Sequence, residues 1–212
     1  MKDSPEDRRI EISRVARLLQ VPADRIDYLA EVPAHDIAAL RQQISDLFFD
    51  STEEGLGKIV AAARILPSQV AAKVAAHNHS PLMTAHLAAV LDVPRAISVA
   101  RRLPPEFLAD VAAHLDLHRS ADVITGLPPD VVAAVVRHIA GRADWLTLSE
   151  LIRTAPDAQL DRCLRVLDSE QILAATALLT DHDAVERVAD RVTEPLAGRV
   201  RAGASAPASD ES

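Results

Sequence analysis

Three histidines stand at the same place in a repeated twelve-residue segment: His77 closes LPSQVAAKVAAH, His114 closes LPPEFLADVAAH and His138 closes LPPDVVAAVVRH. Imidazole titrates near neutral pH and ligates zinc through a ring nitrogen. Such a row therefore offers two chemistries, a metal centre or a surface for an acidic or phosphate-bearing partner. Geometry separates them. Packed helices lie about 8–10 Å apart, whereas zinc ligands all sit about 2.0–2.1 Å from the ion. Side chains at equivalent positions pointing the same way do not converge over such spacings. His77, His114 and His138 are therefore assigned as candidate binding residues, with no metal site and no cofactor expected. A plainer role competes: a histidine in the last turn of a helix donates to free carbonyls and favours the negative end of the helix dipole, worth roughly 0.3–1 kcal/mol.

The other chemistry-bearing residues carry less. His114 and His118 have the i, i+4 spacing of a helical metal pair, but Asp116 between them reads as the cap of a new helix, which breaks the pair. His77, Asn78, His79 and His86 gather around a helix start at Ser80-Pro81, where a solvated loop is expected. The single cysteine, Cys163, rules out an internal disulfide, and its setting LDRCLRVL suits a small buried hydrophobe. No glycine-rich phosphate loop, Gly-x-Ser-x-Gly elbow or His-Glu-x-x-His is present. No catalytic residue is assigned, and the reading is non-enzymatic.

The elements that carry these residues follow from the repeat itself. In each copy a Leu precedes a Pro, an apolar residue follows four positions after that Leu, a Val eight after and a His eleven after. Proline has φ fixed near the helical value and lacks only an N–H that the first turn leaves unpaired, so Leu-Pro-Pro starts a helix. At about 100° per residue, Phe107, Leu108, Val111 and Leu115 fall on one stripe, as do Val131, Val132, Val135 and Ile139. His114 then lies near the border of the buried stripe. Eleven prolines stand where helices should begin, Pro195 and Pro207 being the exceptions, and no alternating run marks a strand. The fold class expected is all-α.

Composition narrows the function. Hydrophobic residues make up 49% of 212, enough for a core, while aromatics are only 2%, which leaves an aliphatic interior and little for base stacking. A net charge of −8 argues against nucleic acid, which needs clustered Lys and Arg. The charged start MKDSPEDRR lacks the apolar core of a signal peptide, and no run approaches the roughly 20 apolar residues of a membrane span. A cytoplasmic protein without membrane insertion is expected.

Along the chain, Ser4 and Asp7 form a capping box for a helix to about Leu19, Pro22 opens a short helix through Ala30, and Pro33 opens one through Phe48-Phe49. The polar Asp50 to Glu54 is the clearest break, and Ser51 with Glu54 caps a helix running to about Ile65. Asp168 and Gln171 form a further capping box. Residues 1–50 are thus read as an N-terminal helical segment, 51–193 as a helical-repeat domain, and 194–212, rich in Gly, Ala, Ser and Pro, as a disordered tail. Helices of about twelve residues are marginal alone, so they must stack.

The joints ADVITGLPPDVVAAVV (Ala121 to Val136) and AISVARRLPPEFLADVA (Ala96 to Ala112) resemble the repeat in the cytoplasmic N-terminal domain of MgtE-type magnesium transporters. The likeness covers about residues 60 to 180. It implies a right-handed superhelix of short helix pairs, an α-solenoid. The acidic residues by which those domains engage Mg²⁺ have no counterpart here, so the resemblance implies fold and not magnesium sensing.

Two functions are compatible with this reading. The first is a non-catalytic interaction or scaffold module that grips a protein partner. The alternative is a sensor domain that holds an apolar small molecule in its aliphatic interior, or a metal on the repeated histidines.

Overall fold

The computed structural model describes residues 4–47, 65–77 and 80–203, and of residues 117 and 118 only the backbone. Among the described residues all regular structure is helical. They fall into two compact units, one within Met1–Gly55 and one within Leu56–Ala204. The break expected at Asp50 to Glu54, and the Ser51–Glu54 cap with its helix, lie outside the described residues.

The first unit holds α1 (Pro5–Leu19), a 3₁₀ segment (Ala23–Glu31) and α2 (34–47). The Ser4–Asp7 capping box is formed in both directions, at 3.0 and 3.2 Å. The segment after Pro22 is 3₁₀ and not α-helical: it is kinked at Ile26, which turns its side chain into a core with Ile12, Val15, Ala16 and Ile37. Glu11 is buried beside that core. Its carboxylate accepts from Arg14 and, at 3.1 Å, from Arg41 on α2, which compensates its desolvation.

The second unit contains α3 (Ser68–His77), α4 (Pro81–Val90), α5 (Val93–Ala100), α6 (Pro105–Ala112), α7 (Leu117–Gly126) and α8 (Pro129–Gly141). It continues with α9 (Trp145–Thr154), α10 (Asp157–Leu164), α11 (Ser169–Thr176), α12 (His182–Ala189) and α13 (Leu196–Gly203). In α6 and α8 the first proline of the motif is the N-cap and the second is the first helical residue. Pro104 and Pro128 share the same extended backbone, φ −58° with ψ 138° and 139°. Each ring fixes its own φ while the following proline excludes helical ψ, so the joint is set before any packing occurs. Between Arg119–Gly126 of α7 and Pro129–Gly141 of α8 the chain bends by 113°.

Most of the packing skips one helix. In one row α3 packs on α5, α5 on α7, α7 on α9, α9 on α11 and α11 on α13; in the other, α4 packs on α6, α6 on α8 and α8 on α10. A single aliphatic core runs through the unit from Ala72 to Val200. The expectation of a disordered tail from residue 194 is overturned for the described part of it. Residues 196–203 form α13 and bury Ala197 and Val200, because Leu196, Ala197 and Val200 retain a helical stripe that composition alone conceals. Residues 204–212 lie outside the described residues.

Two helices end in a left-handed residue that is not glycine. After α8, Ala143 has φ 55°, its N–H bonds the carbonyl of Ala140, and the next N–H, of Asp144, bonds that of Ile139. Gln20 closes α1 with the same double bond pattern. A Cβ in this region costs about 1–2 kcal/mol, of which the greater unfolded-state freedom of glycine returns about 0.5–1. Ala143→Gly is therefore expected to stabilise the protein by roughly 0.5–1 kcal/mol, read as a higher urea midpoint at unchanged slope.

Candidate functional site

The structure places the three repeated histidines differently. His77 is the last residue of α3 and His138 stands in the last turn of α8, both exposed. His114 lies beyond the end of α6, in the turn that Asp116 closes by accepting from the Arg119 N–H at 3.2 Å. Since α6 and α8 pack on each other while α3 packs on α5, only His114 and His138 belong to one row of helices. A single line of three imidazoles is not formed. Among the described residues no group of three or more His, Cys, Asp or Glu side chains is placed to hold a metal ion. The side chain of His118 and the residues Asn78 and His79 lie outside what is described.

His114 borders a shallow cleft of about 270 Å³ with Asp110, Ala113, Ile139, Arg142 and Asp144. Its charges are committed within the protein. Arg142 pairs with Asp110 and donates to the carbonyl of Glu106 at 3.3 Å, and Asp144 accepts from the backbone and hydroxyl of Thr147 at 3.2 and 2.7 Å. Cys163 is buried in α10, and desolvation pushes its thiol up to about 12, so it offers negligible thiolate near neutral pH.

The copies of the motif differ most in burial. Phe107 and Val111 of the second copy are 8% and 4% exposed, whereas Val70 and Val74, at the same two positions of the first copy, are 42% and 48% exposed. α6 is packed by α4 on one side and α8 on the other, while α3 turns Ala71 and Ala72 inward and Val70 and Val74 outward. Ile65 before α3, and Leu82 and Met83 in the first turn of α4, are exposed as well.

Two further features escape a reading of local periodicity. Arginines reach back about one helix pair to a carboxylate: Arg142 to Asp110, Arg162 to Asp130 at 2.6 Å, Arg187 to Asp157 at 3.1 Å and Arg191 to Asp161 at 2.9 Å. The constant separation of 30 or 32 residues was the available signal. These pairs are solvent-screened and each contributes at most about 1 kcal/mol. In addition, the carbonyl before a joint proline is held by a distant side chain: Leu66 by Arg95, Leu127 by Gln159 and Ala155 by Arg187.

No protein-family model matches the chain, and neither the curated proteins nor the solved structures compared with it yield a match. Among the described residues no single helix is long and apolar enough to cross a membrane.

Proposed function

We propose that the second unit is a right-handed superhelix of short helix pairs and that it works without catalysis as a protein-interaction or scaffold module. The observation that carries this is the exposed edge at α3 and α4, where the apolar positions of a repeat built for burial face solvent. Exposed apolar positions on a folded unit mark surfaces that a further protein can cover. The packing of most helices on their next-but-one neighbour, the regular backward Arg–Asp pairs and the likeness of the Leu-Pro-Pro joints to those of MgtE-type domains support the superhelix.

In this reading His114 and His138 belong to the exposed flank of the α6–α8 row and His77 to the α3 edge, and they serve as contacts for a partner and not as a shared metal site. Native mass spectrometry and elemental analysis of the purified chain, followed by capture and reconstitution with a purified partner, test it. The expected result is an apo mass, no stoichiometric metal, and one partner bound saturably. Stoichiometric zinc or iron that disappears in the His77→Ala, His114→Ala, His138→Ala triple variant, or a co-purified apolar ligand, would establish the sensor reading instead.

A further inference from the structure

We draw no further inference here: the strongest candidate, the exposed apolar edge at α3 and the first turn of α4 (Val70, Val74, Leu82 and Met83), carries none because nothing in the structure shows what covers it.

Discussion

Val111→Asp and Val135→Asp are each expected to abolish the cooperative folding of the second unit, while Val74→Asp, the same substitution at the position equivalent to Val111, leaves its stability within about 0.5 kcal/mol of wild type. Val111 and Val135 are 4% and 7% exposed and lie on α6 and α8, two helices that pack directly on each other. A carboxylate there loses its hydration inside a largely aliphatic core cluster, Phe107 included. The cost of an unpaired buried charge, on the order of 4 kcal/mol or more, is comparable with the 5–15 kcal/mol that ordinarily separates a folded domain from its unfolded chain. Because α6 and α8 contact α4 and α10 in turn, the loss should not stay local. At Val74 the new carboxylate remains half in water beside Lys73, which is itself exposed. Thermal denaturation followed by circular dichroism reads all three variants. Similar melting temperatures for Val74→Asp and Val111→Asp would show that the two copies of the motif do not differ in burial as described.

That contrast also marks how far the sequence could be read. The helix starts were legible because they are local: Ser4 with Asp7 and Asp168 with Gln171 close their capping boxes within three residues, and Pro104-Pro105 and Pro128-Pro129 set backbone angles by sterics alone. The buried stripes of α6 and α8 were legible for the same reason, since 3.6-residue periodicity is a property of one helix. Periodicity says which face is apolar but not whether a neighbour covers it, so LPSQVAAKVAAH looks like its two relatives and yet exposes Val70 and Val74. It is equally silent on which row a helix joins, and for that reason the three histidines appear equivalent in sequence while His77 stands on a helix of the other row. The 3₁₀ segment after Pro22 was hidden by a different effect. Burial of Ile26 against Val15 and Ile37 decides its kink, and that contact is tertiary. In α13 composition misled, because Gly and Ala near a chain end suggested a tail where Ala197 and Val200 supply enough apolar surface to dock.

Replacing Gln159 by Leu should destabilise the protein by about 2–3 kcal/mol, and replacing it by Glu should cost more, although neither change touches the aliphatic stripes. The reason lies in the joint between α7 and α8. The last carbonyls of a helix have no partners within it, and they are usually met by donors from the residues that follow. Here the residues that follow Leu127 are Pro128 and Pro129, which have no N–H to give. Gln159, on α10 and only 2% exposed, supplies the missing donor: its Nε2 lies 2.8 Å from the carbonyl oxygen of Ile124, 3.1 Å from that of Thr125 and 2.8 Å from that of Leu127. Leucine fills a similar volume and takes this donor away from the carbonyls of Thr125 and Leu127, while that of Ile124 keeps the Leu127 N–H at 3.2 Å. Glutamate is worse because an ionised carboxylate only accepts, so it would set two further oxygens against three carbonyls in a site closed to water. The expected order in urea denaturation is wild type, then Gln159→Leu, then Gln159→Glu. A leucine variant as stable as wild type would mean that the joint is held by its two prolines alone. A glutamate variant more stable than the leucine one would mean that the carbonyls of Ile124 and Leu127 do not converge on this side chain.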